Sequence, residues 1–149
     1  MRRAVAPGIE VDDDPARVDL AAVYRFLSEE SYWARGRSRA RIEQAVRGSA
    51  RVVGLYEGER QVGFARVVSD GGIAYLADVY VLAELRGRGL GTALVTEAVE
   101  GGPFADCRWL LHTQDAHQLY RRLGFSEPDD PTLMQRPAGG ATRRPPGAS

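Results

Sequence analysis

Residues 78–92 read DVYVLAELRGRGLGT, from Asp78 to Thr92. The β-rich start continues a run that begins at Ile73, IAYLADVYVL, and predicts a long central strand ending near Leu82. From Leu90 to Val99 the apolar spacing becomes helical, and Gly101-Gly102-Pro103 stops that helix. Between the two lies Arg86-Gly87-Arg88-Gly89-Leu90-Gly91. Glycines at a strand-to-helix turn let backbone N–H groups point outward without interference from a Cβ. Those donors, with the positive end of the helix dipole, form an anion site to which Arg86 and Arg88 add full charges. The natural ligand is a pyrophosphate. A P-loop is excluded because it needs lysine and the chain has none. A dinucleotide fingerprint fits weakly: Gly87, Gly89 and Gly91 are spaced by two, and Thr92 stands where the last glycine belongs. Asp115 could still serve as its ribose-binding acid. The plainest alternative is a helix entry with turn glycines and solvated arginines.

Working outward, Ile9 and Val11 suggest a short edge strand, with residues 1–4 frayed before it. Asp14 followed by Pro15 predicts a helix start, and Leu20, Val23, Tyr24 and Leu27 give that helix an apolar stripe. Ser38 caps a second, arginine-rich helix running to about Arg47, with Ile42 and Val46 inward. RVVGLYEGERQVGFARVV reads as a hairpin turning at Glu57-Gly58-Glu59, and Gly71-Gly72 is the next turn. After the central strand and its helix, CRWLLHT (107–113) reads as a strand. DAHQLYRRLG reads as a short helix ended by Gly124, and Phe125 and Leu133–Met134 could supply final strands. The expected architecture is therefore an α/β mixed sheet, mostly antiparallel in its N-terminal half, with one βαβ crossover and helices on both faces. One domain spans 5–136. The remainder, 137–149, is rich in Pro, Gly, Ala and Arg with nothing to bury, and is expected to be disordered.

Composition narrows the chemistry. The chain has 149 residues, enough for one domain, and its 20 basic and 20 acidic residues leave no net field to steer it to nucleic acid or membrane. All the basic residues are arginine, which removes Schiff-base and pyridoxal chemistry. One cysteine, Cys107, excludes an internal disulfide, and His112 and His117 lack helical metal-ligand spacing, so no metal is expected. No secretory or membrane-spanning segment is visible, so the cytoplasm is the expected compartment. The cluster Arg35, Arg37, Arg39, Arg41 and Arg47 lacks the interleaved aromatics of a nucleic-acid site and reads as a solvated helix face.

Arg86-x-x-Gly89-x-Gly91 resembles the [Q/R]-x-x-G-x-[G/A] acetyl-CoA pyrophosphate motif of the GCN5-related N-acetyltransferase (GNAT) superfamily. Val79-Tyr80-Val81 is similar to that family's fourth strand, and Ala116 to Phe125, with Tyr120 and Gly124, to its "A…LY…GF" helix. The 29 residues from Gly91 to Tyr120 suit an intervening helix and strand. The resemblance covers residues 9–136 in element order. The chain departs from it at Thr113, where many members carry asparagine seven residues before the tyrosine.

The resemblance implies transfer of acetyl from acetyl-CoA to a small primary amine by direct attack in a ternary complex. A wedge beside the family's fourth strand would take the pantetheine arm on the open edge from Val79 to Val81. The pyrophosphate would sit on the amides from Gly87 to Thr92. The implied cofactor contacts are Val79, Val81, Arg86, Gly87, Arg88, Gly89, Leu90, Gly91 and Thr92. An amine with a pKa near ~10 must lose a proton before attack. The thioester oxygen needs a donor, here the Val81 N–H. The departing thiolate, with a reference pKa near ~8.5, benefits from a proton donor, and the motif puts Tyr120 in that place. Asp78, three residues before Val81, is the candidate carboxylate for the amine, with Glu29 and Glu30 as alternatives, or water alone. Tyr32 and Trp33, in the segment between the first two helices, are candidate substrate walls. Tyr75 and Tyr80 are further candidates; their opposite parity predicts that one is core. Cys107 is expected in the core, with His112 pointing to the opposite face and His117 at the surface. A non-catalytic acyl-CoA-binding or regulatory module on the same fold, and a nucleotide-cofactor oxidoreductase, are the competing functions, and a homodimer is left open.

Overall fold

The computed structural model describes residues 1–139. The strands are β1 (Arg2–Ala6), β2 (Ile9–Asp12), β3 (Arg51–Glu57), β4 (Arg60–Ser69), β5 (Ile73–Val81) and β6 (Arg108–Leu110). The helices are α1 (Leu20–Glu29), α2 (Arg39–Arg47), α3 (Leu90–Glu100) and α4 (His117–Arg121). The strands lie side by side in chain order. Every pairing is antiparallel except the last, where the crossover through α3 makes β6 parallel to β5. One sheet face is covered by α1 and α2, which bury Val23, Phe26, Leu27 and Ile42 against Val52, Phe64 and Tyr80. The other is covered by α3, whose Leu90, Leu94, Val95 and Ala98 pack on Val53, Leu55, Val62, Ala65 and Val67; Tyr120 of α4 joins that cluster. The mixed sheet with helices on both faces is as the sequence predicts.

The ends differ from expectation. Residues 1–4 are not frayed: Arg2 to Ala6 pair with β2, so β1 and not β2 is the edge. Arg2 bonds Glu10 at 2.7 Å and the terminal ammonium bonds Asp13 at 2.6 Å, partners that charge alone does not announce in the sequence. Asp14 caps only a 3-10 turn, Pro15–Arg17, and α1 begins later, where the Asp19 carboxylate accepts from the Ala22 N–H. The predicted strand over 107–113 shortens to Arg108–Leu110. Phe125 and Leu133–Met134 form no strand among the described residues. Most of the expected disordered tail, residues 140–149, lies outside the described residues.

The feature that positions the site is an asymmetry along β5. Its inner edge pairs with β4 from Ala74 to Val81. Its outer edge meets β6 only from Ile73 to Tyr75. β6 ends opposite Tyr75, and among the described residues no strand lies beside the outer edge from Ala77 to Val81. Within this stretch the β4–β5 register slips: Arg66 faces Ala77 but Phe64 faces Tyr80. Asp78 takes φ 53, the only positive φ at a non-glycine among the described residues. This is a β-bulge, which bends the strand and redirects a side chain.

Candidate active site

One of the two tyrosines is core, as expected, but the bulge removes the opposite parity that was to separate them. Val68, Arg66 and Phe64 alternate along β4 and share one face, and their partners Tyr75, Ala77 and Tyr80 share it too. The extra residue at Asp78 cancels the expected flip. The tyrosines part by depth instead. Tyr80 is core, stacked on Phe26 at 4.0 Å with its hydroxyl accepting from Gln61, and burial pushes its pKa up to about 12. Tyr80, a candidate substrate contact from the sequence, is held in the core and does not line the cavity that Tyr75 lines. Tyr75 lines a cavity of about 640 Å³ at the mouth of the wedge, together with Tyr32, Trp33, Asp78, Val79 and Tyr120.

Asp78 is buried at 7% exposure yet reaches this cavity. One oxygen accepts from Arg66 Nε at 2.7 Å and Arg37 Nη1 at 3.0 Å; the other accepts from Trp33 Nε1 at 2.8 Å. Burial raises its pKa, and the two guanidiniums more than offset this, holding the carboxyl below the usual carboxylate range. It is a satisfied anion and a poor proton acceptor. Glu29 and Glu30 line a separate depression with Arg25, Arg60 and Glu84, away from the cavity.

Trp33 and Tyr32 close the cavity from the α1–α2 connection. Their rings meet edge to face at 5.0 Å, and the Tyr32 hydroxyl accepts from the Gln114 N–H at 3.1 Å, tying that connection to the segment after β6. In that segment the Thr113 hydroxyl accepts from the Ala116 N–H at the entry to α4, so the residue that departs from the motif has a local structural task. Tyr120 is 9% exposed and lines the cavity. Its hydroxyl has no hydrogen-bond partner among the described residues, and burial pushes its pKa up to about 12. A phenol so placed keeps its proton at neutral pH.

His112 does not continue the strand. It lies past the end of β6, and its Nδ1 is 2.6 Å from the Tyr75 hydroxyl. His117 lines a smaller pocket behind Tyr120. Cys107 is half-buried just before β6, its thiol donating to the Gly71 carbonyl.

The glycine-rich loop leaves the C-terminal end of β5 exposed to solvent. Arg86 Nε donates to the Val81 carbonyl at 3.1 Å, which ties the loop to the strand. Gly87 and Gly89 take φ of 81 and 75, and a Cβ at either would meet nothing within 4 Å. Gly89 is the N-cap of α3 and supplies no side chain, so the first-turn amides from Leu90 to Thr92 have no protein cap. These are free donors in front of an open surface, which fits an anionic group. Among the described residues no three His, Cys, Asp or Glu side chains converge to hold a metal, and no helix is long and apolar enough to cross a membrane.

Sequence reasoning missed Arg37, Arg66 and His112. For Arg66 a signal existed: it alternates with Phe64 and Val68, placing a charge in an otherwise apolar row. For Arg37 and His112 there was none, since both sit in irregular segments.

Comparison with known proteins agrees with this geometry. The model of the acetyltransferase (GNAT) domain matches residues 48–127. The Gibberella zeae protein named "Putative acetyltransferase FG08082" is 31% identical over 140 residues, covering 78% of each chain. A crystal structure of a GNAT-family acetyltransferase, assigned as "putative", from Xanthomonas campestris pv. campestris superposes with a TM-score of 0.82. It is 38% identical over 89% of this chain and 94% of its own. A Deinococcus radiodurans R1 structure, described as a "putative acetyltransferase", shares the fold at 21% identity, with a TM-score of 0.68 over 91% and 94% of the two chains.

Proposed function

Because the chain belongs to the GNAT family of acetyltransferases and is an acyltransferase, we propose that it transfers acetyl from acetyl-CoA to a small primary amine within a ternary complex. The observation that carries this is the continuity of three features: uncapped amides at the start of α3, the unpaired outer edge of β5, and a cavity holding a protonated phenol. Acetyl-CoA, when bound, supplies the acetyl thioester. The amides from Gly87 to Thr92, with Arg86 and Arg88, hold its pyrophosphate. The outer edge from Val79 to Val81 pairs with the pantetheine amides, and the Val81 N–H faces the thioester oxygen. Tyr120 donates its hydroxyl proton to the leaving sulfur. Asp78, expected from the sequence to take the amine's proton, is assigned a positioning role, since its lone pairs are already engaged. The proton passes instead to the Tyr75 hydroxyl, which hands its own to His112 Nδ1. Imidazole is the side-chain base suited to this at neutral pH. A single cysteine with no disulfide suits a reducing compartment, and we place the reaction in the cytoplasm.

Calorimetric titration of acetyl-CoA into the wild type and Gly89→Glu tests the cofactor site. Binding to the wild type and its loss in the variant, where a carboxylate faces the pyrophosphate, is the expected result. A wild type that ignores acetyl-CoA removes the proposal. Tyr120→Phe keeps its affinity in the same titration, while its turnover in a steady-state acetylation assay falls by roughly 100-fold.

A further inference from the structure

The cavity beside Asp78 contains more guanidinium than its carboxylate can use. A guanidinium offers five N–H donors and a carboxylate accepts about four hydrogen bonds. Asp78 already takes bonds from Arg66 Nε, Arg37 Nη1 and Trp33 Nε1. That leaves Nη1 and Nη2 of Arg66, and Nε and Nη2 of Arg37, without a protein partner among the described residues. The Arg66 side chain is only 13% exposed, and it lines the cavity, as does Arg37. Two positive groups face one negative group here. The remaining acid on the wall, Asp115, precedes α4 and bonds neither arginine. A half-buried guanidinium edge with unmatched donors is a planar fork suited to a carboxylate.

On the same cavity wall the Tyr75 hydroxyl meets His112. The cavity thus presents two guanidiniums and a hydroxyl–imidazole pair, with the aromatic walls of Tyr32 and Trp33.

Building on the acetyltransferase reading, we propose that the acceptor is a small amine that itself bears a carboxylate, an amino acid in the broad sense, its carboxylate held by Arg66 and Arg37. The carboxylate takes the unused N–H donors, and the amine is left toward Tyr75 and the thioester. The selectivity has a stated source: an amine without the anion leaves desolvated guanidinium donors unpaired, whereas the anion pairs them.

The test is steady-state acetylation of the twenty common amino acids, each against the amine left on removal of its carboxylate. The expected result is at least one amino acid whose kcat/KM exceeds that of its carboxylate-free amine by about 10- to 100-fold, the range for hydrogen bonds to a charged group. In Arg66→Gln, and independently in the more exposed Arg37→Gln, that preference shrinks mainly through KM, while acetyl-CoA affinity by calorimetry stays at the wild-type value. Acetyl-CoA binding together with equal or better use of the carboxylate-free amines, or a preference that survives both substitutions, overturns the carboxylate assignment and leaves the transferase reading standing. A wild type that does not bind acetyl-CoA overturns both.

Discussion

Asp78 and Glu97 are both buried acids held by arginines, one at the cavity and the other on α3. Glu97 is 5% exposed and receives Arg51 at 2.8 Å and Arg3 at 3.1 Å. Every nitrogen of Arg51 is engaged: Nε and Nη2 with Asp13, Nη2 also with Glu97, and Nη1 with the Glu97 and Ala98 carbonyls. Around Glu97 two arginines face two acids, Glu97 and Asp13, and the Arg51 donors are used up. Around Asp78 two arginines face one acid, and donors remain. A cluster that is closed fixes α3 against β3 and the N-terminal strands. A cluster left open at a cavity retains something for a ligand.

The largest expected difference is in stability. Arg51→Met leaves Glu97 buried and loses the bonds to two carbonyls, a loss of about 3–5 kcal/mol. For a chain of this length that lowers Tm on the order of 10 °C. Arg66→Met costs clearly less, because Arg37 and Trp33 still hold Asp78 and water enters the cavity. Acetyl-CoA affinity per folded molecule is unchanged in Arg51→Met. Thermal melts showing equal losses for the two variants would break the distinction between the clusters.

Asp78→Asn sharpens the comparison. Asparagine tolerates positive φ, so the bulge survives and only the charge is removed. The expected stability loss is about 1–3 kcal/mol. The acceptor KM changes, since both guanidiniums lose their counter-ion, while kcat stays within a few-fold. Were Asp78 the proton acceptor, kcat would fall by roughly 100- to 10,000-fold. Steady-state kinetics on the folded variant separates the two roles.

How far the sequence carried varies by region in a way that follows from the same physics. The strand–glycine–helix unit from Ile73 to Glu100 was legible because alternation, turn residues and helical spacing are local. Tyr32, Trp33 and Tyr75, named from the sequence as candidate substrate contacts, all line the cavity. Tyr75 and Tyr80 were expected on opposite faces and share one, because a one-residue bulge reverses alternation and nothing in Ala77-Asp78-Val79 announces it. The strand Arg2–Ala6 was missed because its partners lie in β2 and α3. The second arginine at Asp78 comes from a loop whose path only tertiary packing sets.

Acid titration gives the smallest effect and can be read at a single atom. The folded-state pKa of Asp78 lies below its unfolded value, so its stabilising contribution is fully present above ~3.9 and is lost as pH falls through the lower, folded value. From pH 7 to about 4 the Trp33 indole N–H should therefore keep its bond to Asp78. The chain carries its own reference: the other tryptophan, Trp109, donates its indole N–H to the Phe104 carbonyl, which does not titrate. In a series of proton–nitrogen correlation spectra the Trp33 indole resonance should stay fixed to about pH 4 and move only below it, with Trp109 unmoved until the chain unfolds. A Trp33 midpoint above pH 4 would mean that the two guanidiniums do not outweigh burial at Asp78. The carboxylate would then be protonating early enough to serve as an acid or base, and the contrast with Glu97 would rest on chemistry other than unused arginine donors.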